Sequence, residues 1–404
     1  MQSVVFRWLV VLGVALCCGL ALAGQPSLEA FAGRVPALRG RIPALTASAE
    51  RACGVVMANP GALITLPRKV QEPFTAEYLA RAGGLCGGWY ADARREKEGH
   101  PDVVIISVRS WETHGDQVLP LLEHYHSKGR LVIVIGSLAG RPDYVPCDFF
   151  IDNGAPTGGK AYGAVNLLAN ATLGWMWFCE YAAAFSRQGK FPGILYSVAY
   201  PDAKAHNGPL QAPEGRPTLF PCDQVLPAGK QAELYLQRTE GLVADCRSAR
   251  IQGQITSAAE IVAARMQAGN TVGLSGVGHL VLDEVLEPDL QAPWKAFRST
   301  KKVADNLQPG DLLVWITYLG MRTAYSDATP RMQEAGVELI TSYAVDPEWS
   351  KDQPPALAFI EQCWQLPDAE VPIPIFPKFM APVSGLNAVL VLRMLDEEVA
   401  KRLK

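Results

Sequence analysis

Three segments of the chain recur in the same order at one spacing. A helical pattern at Ser48 (SAERACGVVMANPG), an apolar run at Ala62 (ALITL) and a second run at Val103 (VVIIS) return, each 209 residues later, as SAAEIVAARMQAGN at Ser257, TVGLS at Thr271 and LLVWIT at Leu312. Two further runs, RLVIVIGS and GVELITS, roughly follow suit, each after a helix ending in Lys-Gly or Ala-Gly. A spacing shared by three elements means that what the first half builds, the second half builds again. Short apolar runs fed by helices and glycine are strands buried on both faces, the pattern of parallel sheets. The expected fold class is therefore α/β, with two α/β/α sandwiches on parallel sheets related by internal duplication. At 404 residues the chain exceeds the usual size of one hydrophobic core, which agrees with two units.

The boundaries follow from composition. Residues 1–23 carry one Arg, an apolar stretch and Ala21-Leu22-Ala23 before Gly24, the pattern of a signal peptide rather than a membrane span. This predicts an exported chain, periplasmic or extracellular. The first unit covers 24–186, a Pro/Gly-rich linker with a connecting helix 187–245, and the second unit 246–404. Export makes disulfides an expectation. Cys222 and Cys246, which flank the linker, are the favoured pair, with small buried thiols the alternative for Cys53, Cys86 and Cys179.

A formal net charge of −3 without a Lys/Arg run gives no footprint for nucleic acid. His124 and His126 are two apart on a predicted helix and the other histidines are scattered, so no metal site and no cofactor is expected. The sequon Asn170-Ala171-Thr172 falls within a helical pattern, where it reads as accidental.

In parallel sheets, ligands bind at the loops leaving the carboxyl ends of strands, where helix N-termini favour anions. In the first half that loop reads SVRSWET, placing Ser107, Arg109, Ser110 and Thr113 as candidates, with Arg68 and Lys69 after the preceding strand. In the second half LSGVGHLVLDEVL offers Ser275, Gly276 and Gly278, and WITYLGMRT offers Thr317, Gly320 and Thr323. Ser110 or Thr113 serves equally well as an N-cap. Trp111 suits either a sugar face or the seam between the halves, the seam being favoured. His279 and Glu284 form the best acid–base pair on offer, and Glu77 lies on the corresponding helix of the first half.

The order of helix, strand, SGVGH turn, DEVL helix, GDLLVWITYLG and AGVELIT resembles the sugar isomerase (SIS) domains that bind phosphosugars. So do AEYLARAGGL, DVVIISVRSWET, GRLVIVIGS and DFFIDNGAPTGG in the first half. The arrangement is similar to the tandem SIS halves of amino-sugar isomerases, and the resemblance implies a sugar or sugar phosphate at the strand-end loops. Phosphate loops of that family read Ser-x-Ser-Gly-x-Thr. Here Leu319 stands at the second Ser position of one loop, and Trp111 at the Gly position of the other, where the spacing is one residue longer. Arg68, Lys69 and Arg109 could supply charge in the first half. The leading expectation is an exported, non-catalytic binder of a sugar or phosphosugar. An aldose–ketose isomerase and a structural pseudoenzyme with a protein partner are the alternatives, and a homodimer is compatible with each.

Overall fold

Val103–Val108 and Leu131–Gly136 run parallel, from Val103 beside Leu131 to Val108 beside Gly136, and both strands are buried along their whole length. Branched side chains suit such a doubly covered, pleated surface, which is why these two runs seat the centre of a sheet. The computed structural model describes residues 25–59, 62–67, 72–78, 83–84, 88–90, 103–155, 161–197, 200–210, 217–287, 289–298, 303, 305–319, 332, 334–347, 353, 355–365, 368–373 and 379–404.

The first sheet comprises β1 (Ile64–Leu66), β2 (Gly88–Tyr90), β3 (Val103–Val108), β4 (Leu131–Gly136) and β5 (Phe149–Asp152), in the order β2-β1-β3-β4-β5. A hairpin-like pair, β6 (Lys190–Pro192) and β7 (Leu219–Pro221), lies between the halves. The second sheet holds β8 (Val272–Gly276), β9 (Lys295–Phe297), β10 (Leu312–Ile316), β11 (Glu338–Tyr343) and β12 (Ala358–Glu361), in the order β12-β11-β10-β8-β9. Counted within each half, both sheets read 2-1-3-4-5, and every pairing in both is parallel. The two α/β sandwiches inferred from the chain are therefore present with one shared topology.

The helices in chain order are α1 (Pro26–Leu38), α2 (Ile42–Ala58), α3 (Glu72–Tyr78), α4 (Trp111–Ser127), α5 (Ala161–Ser186), α6 (Ala203–Leu210), α7 (Lys230–Cys246), α8 (Ala249–Gln267), α9 (His279–Glu284) and α10 (Ser384–Leu403). Local chemistry sets several starts. Ser110 accepts the Thr113 N–H to cap α4, Ser248 does the same for α8 through Ile251, and prolines open α1 and α2. Helix α5 is largely apolar, and it is buried without a break from Ala164 to Ser186. No helix among the described residues is long and apolar enough to cross a membrane.

Helix α5 packs on α1, α2 and α7, and α10 packs on α8, α9 and α1, so the helices between the sheets interlock. One hydrophobic core accordingly runs through both halves, from Phe31 and Trp177 to Val314 and Leu395. The stretch 187–245 is more than a connector: β6 and β7 pair antiparallel, and α7 packs against the first half.

The expected Cys222–Cys246 bridge is not formed. Cys222 Sγ donates to the Gln224 carbonyl at 3.2 Å, while Cys246 Sγ, on the last residue of α7, lies 3.3 Å from Asn387 Nδ2. The six described cysteines are free, and Cys86 lies outside the described residues. Cys53 and Cys179 are buried thiols, as the alternative reading has it; burial pushes Cys53 up to about 12 and Cys179 well above the usual thiol value.

Candidate functional site

Strand β3 ends at Val108 and α4 begins at Trp111, so only Arg109 and Ser110 connect them. That brevity places the end of β3 beside the first turns of α5. Ser107 is buried there, its Oγ accepting from Asn170 Nδ2 at 2.9 Å, and the same amide reaches the Val108 carbonyl at 3.1 Å. Asn153 joins them, donating to Asn170 Oδ1 at 2.7 Å and Asn166 Oδ1 at 3.2 Å. Asn170 is fully enclosed, so the folded chain cannot present its sequon for glycosylation. Asn166 and Asn170, one turn apart on a largely apolar helix, are the signal from which this network could have been anticipated.

Ser110 and Thr113 divide their roles. Ser110 Oγ accepts from the Thr113 backbone N–H and from its hydroxyl, both at 3.3 Å. Ser110 is half-buried and Thr113 exposed, so both hydroxyls remain at the surface beside the N-terminus of a 17-residue helix. Trp111 covers neither a ligand face nor the seam. It is buried under its own helix, stacked on Phe150 at 6.4 Å and donating Nε1 to the Ser137 carbonyl at 2.9 Å.

Arg109 turns across to the other half. Its Nε donates to the Gly163 carbonyl at 2.9 Å, Nη1 pairs with Glu287 Oε1 at 2.7 Å, and Nη2 lies 3.1 Å from Glu284 Oε2. From the far side, Arg393 of α10 donates Nε to Glu284 Oε1 at 2.7 Å and Nη2 to Asp289 Oδ1 at 2.7 Å. Glu284 is wholly enclosed between the two guanidiniums. Burial alone would lower Arg393, but the charges of Glu284 and Asp289 outweigh it and raise that pKa. Burial raises Glu287, with Arg109 opposing. Arg393, Glu287 and Asp289 are invisible as a group in the sequence, because only folding gathers them.

His279, half-buried, opens α9 behind Gly278, and Glu284 closes it. Five positions apart on a helix, they stand about 140° apart around the axis, so α9 does not present them on one face. Glu284 is held by two arginines. Gly278 itself, at φ 145° and ψ 166°, occupies a region essentially restricted to glycine. A Cβ at Gly276 would meet Val281 Cγ1 at 3.1 Å, so the SGVG turn serves close packing of β8 on α9.

Two described hydroxyl residues of the second half, Ser275 and Thr317, are enclosed as well. Ser275 donates to the Phe297 carbonyl at 3.0 Å. The Thr317 N–H donates to the Ser342 carbonyl at 2.7 Å, and the Thr317 carbonyl accepts from Gln362 Nε2 at 2.7 Å. Arg68, Lys69, Gly320 and Thr323 lie outside the described residues. Glu77 is buried, accepting from Trp175 Nε1 at 3.1 Å. No group of three or more metal-ligating side chains occurs among the described residues.

Two solved structures share this architecture. The C-terminal domain of glucosamine-fructose-6-phosphate aminotransferase from Francisella tularensis superposes with a TM-score of 0.51 at 11% identity, over 94% of this chain and 95% of that one. The chain carries an SIS-like α/β fold. A candidate phosphosugar isomerase from Silicibacter pomeroyi DSS-3 superposes equally, with a TM-score of 0.51 at 9% identity, over 94% of this chain and 97% of the other. No family model and no curated protein matches the sequence. Among the described candidates, Ser110 and Thr113 at the β3–α4 junction keep hydroxyls at the surface, while the hydroxyls of Ser275 and Thr317 donate to the Phe297 and Ser342 carbonyls.

Proposed function

We propose that this protein binds a sugar or sugar phosphate at the β3–α4 junction and does not turn it over. Ser110 and Thr113 offer hydroxyls, and the N-terminus of α4 offers its partial positive charge to an anionic group. The two solved neighbours are named for work on phosphosugars, which favours that ligand class. Export of the chain, read from residues 1–23, belongs to the same proposal.

The observation that carries the non-catalytic reading is the enclosure of Glu284. A base must come within hydrogen-bond reach of the proton it removes, and this carboxylate can do so only if its ion pairs to Arg109 and Arg393 open. The test is isothermal titration of the purified chain with aldose and ketose phosphates, alongside an assay for their interconversion. Saturable heat without conversion, lost in a Ser110→Ala/Thr113→Val variant that still folds, is the expected result. Conversion of one phosphate into the other would overturn the non-catalytic reading. Undiminished affinity in the double variant would overturn the site.

A further inference from the structure

Cys246 ends α7, and Cys363 sits two residues beyond β12, the edge strand of the second sheet. The two thiols are neighbours, each shifting the other's ionisation. One carboxamide also touches both residues: Asn387 Nδ2 lies 3.3 Å from Cys246 Sγ, and Asn387 Oδ1 accepts the Cys363 N–H at 2.7 Å. Arg238 fixes the same corner by donating to the Cys363 carbonyl at 3.0 Å. Cys246 is fully buried, whereas Cys363 is partly open to solvent.

We propose that Cys246 and Cys363 are a redox pair that closes to a disulfide when a small-molecule disulfide oxidant reaches Cys363. The chemistry is thiol–disulfide exchange. The Cys363 thiolate attacks one sulfur of the oxidant, its S–S bond breaks, and one thiolate leaves and takes up a proton. Cys246 then gives up its proton and attacks the Cys363 sulfur, expelling the second thiolate. Two protein thiols are oxidised, one disulfide is reduced to two thiols, and both protons end on the leaving groups.

The order of attack follows from the surroundings. Cys246 holds the Cys363 thiol below its usual value, with burial opposing, while Cys363 and then burial push Cys246 up. The thiol that ionises more readily is thus the one the oxidant can reach. The bond would close a loop from residue 246 to residue 363 that contains all five strands of the second sheet. A long closed loop restricts the unfolded chain more than a short one, so the oxidised protein should be the more stable form.

The experiment treats the whole chain with oxidised glutathione, alkylates the remaining thiols and maps the peptides, with melting followed before and after dithiothreitol. A linked Cys246–Cys363 peptide is expected, with a melting temperature that rises on oxidation and returns on reduction. Cys363→Ser should fold, because its position is partly exposed, and should show no rise. Alkylation of both cysteines in the oxidised sample would overturn the proposal, as would Cys246 bonded to Cys222.

Discussion

Arg109 of the first half lies 3.1 Å from Glu284 of the second; the carboxylate is fully buried, and the arginine side chain keeps 16% of its surface exposed. Charges taken out of water depend on each other far more than surface pairs do. With Arg393 bound to the same carboxylate, this contact ties β3 and α5 of the first half to α9 and α10 of the second.

Replacing Glu284 with Ala leaves Arg393 enclosed with only Asp289 beside it. Removing one partner of a buried pair costs about 3–5 kcal/mol, so Glu284→Ala should lower the midpoint of chemical denaturation strongly. A loss of less than about 1 kcal/mol, the range of exposed pairs, would show that the cluster is solvated.

Gly174 of α5 stands against the Tyr78 ring, which donates to the Ala171 carbonyl and packs on Phe74, Trp175 and Phe178. A Cβ at Gly174 would fall 2.5 Å from Tyr78 Cζ. Alanine is the better helix former, but overpacking a close-fitted core costs about 1–3 kcal/mol. Gly174→Ala should therefore destabilise, and urea titration of the variant reads the sign directly.

Glu397 accepts from the Ser27 N–H at 3.0 Å and from its hydroxyl at 2.5 Å, yet burial still raises its pKa above the usual 4.5. A carboxyl raised on folding adds stability that is complete below its unfolded pKa and lost as pH rises through the folded value. Stability from this group should thus fall as pH climbs above about 4.5. Glu397→Gln keeps an acceptor for Ser27 and removes the titration. Its stability curve should be flatter than the parent's on the alkaline side of that value, when denaturation midpoints are compared across pH.

Ser110→Ala removes the cap of α4 and should cost about 1 kcal/mol. Thr113→Val, which leaves the cap acceptor in place, should cost less. Comparing the two by thermal denaturation separates the capping role of this junction from any role toward a ligand.

Strands β1, β3 and β4 and their counterparts β8, β10 and β11 were legible because apolar runs and glycine turns are local signals, and because Val103 and Leu312 start equivalent strands at one spacing, whereas the short strands β2 and β9 at one edge of each sheet were not. The uses of the polar side chains were not. Ser107 is consumed by Asn170, 63 residues away, and Arg109 by Glu284, 175 residues away, and such separations leave no periodic trace. Trp111 shows the same limit: its indole N–H finds the Ser137 carbonyl at the end of the neighbouring strand, which decides its burial under α4 rather than at the seam. The capping of α4 by Ser110 could be read, because an N-cap depends only on residues three positions apart.

The central claim is tested most directly by melting the protein in a concentration series of sugar phosphates, with the unphosphorylated sugars in parallel. A ligand that binds only the folded state raises the melting temperature according to its concentration over its dissociation constant. The account predicts a rise with sugars or their phosphates that saturates the β3–α4 junction and disappears in Ser110→Ala/Thr113→Val. An unchanged melting temperature across every sugar and phosphate at millimolar concentration would contradict it and leave a structural role for the fold.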